Sequence, residues 1–399
     1  MQSSWGNFEM SNKLSVVGLI SICSIAVVLW GSRVLGQQKK PTADAKKLPS
    51  FTRVLLLEKT AETSANVSIG DLNGDGFPDL VLAKGRHWPL IDRVLLNDGH
   101  GNFTKAHDLG EVADRSYSVT LSDIDRDGDL DVVVGNDAPD PKRVYANDGK
   151  GNFRLLSTFG HPDWPTRNAT VADVNGDGLP DILVANRADD GKGPNYVCFN
   201  KGKGQFDADC LPFSHESATT ITPADINGDG LVDLIVPHRD GGQSYVYING
   251  GKGNLDKRIP FGPGDATIRM TQAADLNRDG MLDIVAIDER RGAFIYFREK
   301  GTTFSNGAPI SSGGATPYAL MVGDLNSDGA IDVVVGHVEA APVAYVNDGT
   351  GKHFTPVTFG DNKGTVYGFA IGDLDRDGLQ DIAVARSDAP NVVYFGVRL

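Results

Sequence analysis

Asp71-Leu72-Asn73-Gly74-Asp75-Gly76-Phe77-Pro78-Asp79 is the first of seven copies of one nine-residue pattern, D-x-[DN]-x-D-G-x-x-D. The other copies start at Asp123, Asp173, Asp225, Asp275, Asp324 and Asp373, so the steps between starts are 52, 50, 52, 50, 49 and 49 residues. A period of this size marks a repeat architecture, in which one unit recurs and buries its apolar surface against the next copy.

Within each copy, positions 1, 3, 5 and 9 carry side-chain oxygens. They are Asp71, Asn73, Asp75 and Asp79 in repeat 1, then Asp123, Asp125, Asp127 and Asp131 in repeat 2. Repeats 3 and 4 supply Asp173, Asn175, Asp177, Asp181 and Asp225, Asn227, Asp229, Asp233. Repeats 5 to 7 supply Asp275, Asn277, Asp279, Asp283, then Asp324, Asn326, Asp328, Asp332, and finally Asp373, Asp375, Asp377, Asp381. Position 6 is Gly in every copy, where a chain wrapping tightly around an ion needs positive φ without a Cβ. Donors that are all hard oxygens, with no Cys or His among them, point to Ca²⁺ over zinc or copper. Up to seven calcium ions are therefore expected.

Charge leads the same way. The seven loops hold 23 of the 52 Asp and Glu residues, and packing them without cations sets like charges against one another. Seven divalent ions would cancel the formal charge of −14, so the acidic balance reflects the loops and gives no sign of a basic partner.

An alternating or apolar run precedes each loop, as in Tyr117 to Ile124, and another follows, as in Leu130 to Gly135. A third run, Arg143 to Ala146, leads into the Gly-rich turn Asn147-Asp-Gly-Lys-Gly-Asn-Phe153 and a fourth run starting with the aromatic. The turn recurs at 97–103, 200–206, 249–255 and 347–354, with a degraded copy at 298–304. Four strands in about 50 residues, repeated seven times, give the expected fold: all-β, a seven-bladed β-propeller of four-stranded antiparallel blades over residues 51–399. The last repeat stops after its third strand at Phe395, while Phe51-Thr52 resembles the fourth-strand start Phe103-Thr104. The N-terminal strand should therefore close the last blade and leave no open edge.

On the loop, its flanking strands and the N-D-G-x-G-x-F turn, residues 51–399 resemble the FG-GAP, or VCBS, family of integrin-α-type calcium-binding propeller repeats. The resemblance implies calcium between the first and second strands of each blade. Related scaffolds serve adhesion, lectin-like sugar binding and polysaccharide lyase chemistry, and a shared fold does not choose among them.

Residues 1–13 form a polar flank, and residues 14–35 contain the one long apolar stretch, read as either a signal peptide or a membrane anchor. The polar segment 36–50 reads as a linker. Lysines and an arginine after the apolar stretch oppose an anchor that puts the repeats outside. Loops this rich in carboxylates nevertheless suit a compartment where calcium is plentiful, so an extracytoplasmic location is expected: secreted, periplasmic or membrane-anchored. Cys198 and Cys210 flank one hairpin turn, which allows either a disulfide or two buried thiols.

Ligands of propellers usually meet the face that carries the loops between second and third strands. Five residues after the last Asp of each loop stand Lys84, Asn136, Asn186, His238, Asp288, His337 and Arg386. Six residues before the first Asp stand Ala65, Tyr117, Arg167, Thr219, Arg269, Tyr318 and Tyr367. Both rings are expected around one mouth of the channel, with Trp88 and Trp164 on loops of the same face. The excess of cations and phenols suits an anionic ligand such as an acidic sugar, or an extracellular protein.

The chain is thus expected to be a binding module for carbohydrate or a protein partner. The alternative is a lyase acting on uronate-containing glycans, with Arg167 or Arg269 neutralising the uronate carboxylate and His238, His337 or a tyrosine moving the proton. No phosphate-binding loop, H-E-x-x-H, G-x-S-x-G or C-x-x-C is present. Nucleic acid is disfavoured because no basic aromatic tract is present.

Overall fold

Repeat 1 folds as four antiparallel strands, Glu62–Gly70, Asp79–Lys84, Arg93–Leu96 and Lys105–Asp108, with the acidic loop joining the first to the second. The computed structural model describes residues 48–187, 193–311 and 314–398, and these contain strands but no helix. The segments 1–13, 14–35 and nearly all of 36–50, read from sequence as flank, signal or anchor, and linker, lie outside the described residues.

Burial explains why each strand has its composition. The second strands of repeats 1, 2, 3, 5 and 6 are buried at every position, which requires apolar residues on both faces. The outer strands, such as Lys105–Asp108, expose most of their residues and tolerate charge.

The strands form six sheets, five of four strands and one of eight. The eight-stranded sheet contains the four strands of repeat 1 and those of repeat 7, which are Thr365–Gly372, Asp381–Ala389, Val392–Phe395 and the N-terminal strand Arg53–Leu56. Arg53 pairs with Phe395 and Leu56 with Val392, so the chain's start supplies the last repeat's fourth strand, as its sequence suggests. The two sets merge because Asp381–Ala389 overruns its own repeat and pairs Ala389 with Glu62 and Ser387 with Thr63.

The first strands of the repeats touch their neighbours in a closed cycle, and the strand of repeat 7 meets that of repeat 1. The core follows the same cycle as seven apolar clusters, each lying between two adjacent repeats. Leu72, Val81 and Val94 of repeat 1, for example, pack on Val119, Val132 and Tyr145 of repeat 2. Stability therefore resides in interfaces between repeats, since one sheet alone has nothing to cover its faces. Repeat 5 is the weakest copy: its degraded turn precedes an outer strand of two residues, Ala308–Pro309. Cys198 and Cys210 form a disulfide across the corresponding hairpin of repeat 3.

Candidate functional site

Two faces of this ring carry chemistry. On the first lie the acidic loops, each wound by its own carboxylates. In repeat 1 the Asp71 carboxylate accepts the N–H groups of Gly74 and Gly76, both at 2.8 Å, Asn73 Oδ1 accepts that of Asp75, and Asp75 Oδ1 that of Phe77. The expected positive φ at position 6 is present in every copy, from Gly329 at 79° to Gly128 at 102°. Position 4 is left-handed too, and four copies place a non-glycine there: Arg126, Arg278, Ser327 and Arg376.

Position 9 has a second task that spacing alone does not reveal. Asp131 is fully buried; Oδ2 accepts the Ile124 N–H at 2.9 Å and Oδ1 the Asn147 N–H at 2.9 Å, tying the loop to the turn after the third strand. Asp79, Asp181, Asp233, Asp283, Asp332 and Asp381 repeat the arrangement, with Arg298 and Gly396 replacing the turn asparagine in repeats 5 and 7. Burial raises Asp131 to about 7 in the ion-free chain despite its N–H partners, and Asp125 adds to the rise.

The turn asparagines then reach across to the preceding repeat. Asn147 Nδ2 donates to the carbonyl of Leu72 at 2.8 Å, between the loop ligands Asp71 and Asn73. Asn97, Asn200, Asn249 and Asn347 make the same bond to Leu374, Ile124, Val174 and Leu276, and Arg298 reaches Asn227 in repeat 4. Each such loop is therefore latched to the next repeat.

Two loops carry donor sets of the kind a hard cation such as calcium takes. Oδ1 of Asp123 is buried without a hydrogen-bond partner, an arrangement that costs free energy unless a cation completes it. Oxygens of Asp123, Asp125 and Asp131 lie within 4.8 Å of one another, as do those of Asp373, Asp375 and Asp377. Those two loops are the copies with Asp at position 3.

On the second face the inner strands leave a cavity of about 130 Å³. All seven residues six positions before the loops line it: Ala65, Tyr117, Arg167, Thr219, Arg269, Tyr318 and Tyr367. None of the other expected ring does. Lys84 is buried and paired with Glu58 and Glu62. Arg386 is buried and paired with Asp361, while His337 is buried with Nδ1 3.0 Å from the Ala341 carbonyl. The half-buried His238 ring abuts Gly242. These four expectations are corrected by one residue of register, because successive strand residues face opposite ways. The cavity instead receives Arg187 and Arg239, one position later, and Arg86 with His87 from repeat 1. Counting six rather than five residues beyond the last Asp would have found the two arginines.

Trp164 is also corrected. It stacks on Tyr196 with centroids 3.9 Å apart and planes at 6°, which makes it packing for repeat 3. Trp88 stays 70% exposed, one residue beyond His87.

Three guanidiniums of the cavity lie over phenol rings. Arg167 lies over the Tyr117 ring at 4.4 Å, Arg86 over Tyr367 at 4.2 Å and Arg269 over Tyr318 at 3.4 Å. Arg167 pairs with Asp137 at 2.5 Å and Arg187 with Asp240 at 2.7 Å, while Glu289 serves both Arg239 at 2.6 Å and Arg269 at 3.3 Å. Burial raises the Tyr318 phenol, but Arg269, the Tyr367 hydroxyl bond and Arg239 outweigh it and bring it below its ordinary value. Burial, then Arg86 and Arg167, hold His87 below its own.

The FG-GAP-like repeat model matches six overlapping spans, 71–134, 123–184, 173–236, 225–286, 275–335 and 324–384. The chain belongs to the FG-GAP repeat family. Among solved structures, this FG-GAP chain is similar to BBS1N in complex with ARL6DN, soaked with mercury, with TM-score 0.57 and 12% identity over 88% of this chain and 98% of that one. The Dos1 propeller gives TM-score 0.53 and 10% identity over 85% and 80%. YCF48 from Cyanidioschyzon merolae gives 0.53 and 13% over 86% and 98%. At these identities the likeness concerns fold, which is a β-propeller. No curated protein matches the chain by sequence.

Proposed function

We propose that this FG-GAP chain is an exported, calcium-stabilised propeller of seven blades that works as a binding module for a protein partner, which it receives at the mouth opposite the acidic loops. The observation that carries the reading is the convergence on one cavity of seven equivalent positions that hold four kinds of residue: Ala65, Thr219, two arginines and three tyrosines. Scaffold positions repeat their chemistry, whereas these positions vary while sharing one place, as recognition requires.

Several observations support the rest. The closed cycle of inner strands and the seven interfacial clusters favour seven blades, two of them fused into the eight-stranded sheet. Calcium suits the converging carboxylates of the loops that start at Asp123 and Asp373 and would complete Asp123 Oδ1. Bound there, it would neutralise the ligand charges and fix the loop beside its latch to the next repeat. A disulfide at Cys198–Cys210 suits an oxidising compartment outside the cytoplasm. A protein partner is favoured because a structural neighbour, BBS1N, is in complex with ARL6DN.

The uronate lyase and the carbohydrate binder are weaker readings. His238 and His337 do not line the cavity that contains Arg167 and Arg269, and a guanidinium already covers one face of each tyrosine in it. Titrating calcium into metal-free protein by calorimetry, then incubating the loaded protein with uronate polysaccharides, tests both parts. We expect saturable calcium binding and no unsaturated sugar product. Absence of calcium binding would overturn the metal reading, and release of unsaturated product would replace the binder with a lyase.

A further inference from the structure

The cavity holds more positive charge than its own carboxylates cancel. Among the described residues five guanidiniums face it, while three carboxylates, Asp137, Asp240 and Glu289, pair with them, which leaves an excess of two positive charges. The excess is localised. Glu289 is shared between Arg239 and Arg269, and Arg86 has no carboxylate within ion-pair distance. Arg86 Nε is moreover buried with no hydrogen-bond acceptor among the described residues, while its Nη1 donates to the Tyr367 hydroxyl.

Geometry restricts what can complete this set. A guanidinium stacked on a tyrosine still presents its in-plane N–H edge, which matches the two oxygens of a carboxylate. The same stacking covers one face of each of Tyr117, Tyr318 and Tyr367 and so reduces the ring surface left for a sugar. A volume of about 130 Å³ admits a side-chain terminus and excludes a folded element. Trp88, 70% exposed and two residues from Arg86, offers an apolar contact to the chain that would carry such a terminus.

We infer that the mouth is a receptor for an acidic peptide segment, two of whose Asp or Glu carboxylates are held by Arg86 on one side and by Arg239 with Arg269 on the other. This assignment rests on reading the mouth as the partner face and adds the chemistry of the partner. It also makes the interaction salt-sensitive, because two net charges at the surface of a cavity are screened within about 10 Å at 0.1 M salt.

The test is fluorescence anisotropy of a labelled Gly-Glu-Glu-Glu-Glu-Gly peptide with calcium-loaded protein, beside its all-Gln counterpart and unlabelled oligogalacturonate as competitor. The Glu peptide should bind and the Gln peptide should not, with affinity falling steeply as salt rises. Arg86→Gln and Arg239→Gln should each weaken binding about tenfold, the loss expected for one charge-assisted contact. Arg93→Gln, on the third strand of repeat 1 where it pairs with Asp108 of the outer strand, should leave binding unchanged. The melting temperature of each variant separates lost contact from lost fold. Equal binding of both peptides, or binding indifferent to Arg86→Gln and Arg239→Gln in folded protein, would overturn the site. Displacement by oligogalacturonate at lower concentration than by unlabelled Glu peptide would transfer the site to acidic glycans and overturn the peptide assignment. If no peptide binds while calcium still raises the melting temperature, the mouth assignment falls and the calcium-stabilised scaffold stands.

Discussion

The loop face and the mouth of this ring are built from the same strands, yet they obey different rules. At the loop face, the copies of one pattern repeat their bonds: position 1 winds the turn in six repeats, position 9 pins it in all seven, and in most a turn asparagine latches it to its neighbour. At the mouth the seven equivalent positions share a location but not one chemistry, being one alanine, one threonine, two arginines and three tyrosines. The difference separates two jobs. Sameness closes a ring, because each interface must match the next, and variety recognises a partner, because a partner is not seven-fold symmetric.

If the loop face carries stability through calcium, stripping the metal should have the largest effect. A strong chelator should lower the melting temperature by more than about 10 °C in a thermal scan, since ions that bind only the folded chain add their binding free energies. An unchanged melting temperature in protein verified to be metal-free would erase the distinction between the faces.

Asp131→Ala comes next. It strands the buried N–H groups of Ile124 and Asn147 and removes a cation ligand, so denaturant unfolding should show a loss of about 3–5 kcal/mol. Asn147→Ala keeps the loop carboxylates and removes the latch to Leu72 together with the bonds of the same side chain to the Leu130 carbonyl and the Gly149 and Gly151 N–H groups, for an expected loss of about 2–3 kcal/mol. It should also weaken calcium binding at loop 1 measurably, a change that a mutation at the mouth should not produce.

The smallest effect tests the mouth side of the ring. Asp92 is buried, accepts the Lys84 N–H at 2.7 Å and the Ser116 hydroxyl at 2.9 Å, and is raised by burial to about 7. Asn195 and Asn391 hold the same place in repeats 3 and 7, accepting the N–H of Asn186 and Arg386. A folded value above the unfolded one means that Asp92 supports the fold fully below about 4, and that this support is lost as pH rises to about 7. Asp92→Asn should remove that slope, so its melting temperature relative to wild type should climb by a few degrees across this window and then level off.

What was legible in the sequence follows the same division. The loops were readable because Asp, Asn and Gly at fixed offsets encode local backbone geometry, and seven repetitions leave little else for them to be. The closing strand was readable from Phe51-Thr52, since it had to supply what the last repeat lacked. The left-handed position 4 was concealed by arginine and serine in four copies. The latch of Asn147 to Leu72 crosses 75 residues and leaves no local trace. At the mouth one expected ring was right in all seven members and the other displaced, because a strand turns over with each residue and a count from the loop accumulates that error at the strand's far end. Lys84, His238, His337 and Arg386 looked like channel residues only until that turn was placed.

The most direct test of the two-face account is hydrogen exchange read by mass spectrometry on the same protein with and without calcium. The expected result is strong added protection in the loops beginning at Asp71 through Asp373 and in the turns beginning at Asn97, Asn147, Asn200, Asn249 and Asn347, with little change in the segments around Arg86 and Arg239 at the mouth. Exchange that is indifferent to calcium in the loops, or protection gained chiefly at the mouth, would contradict it.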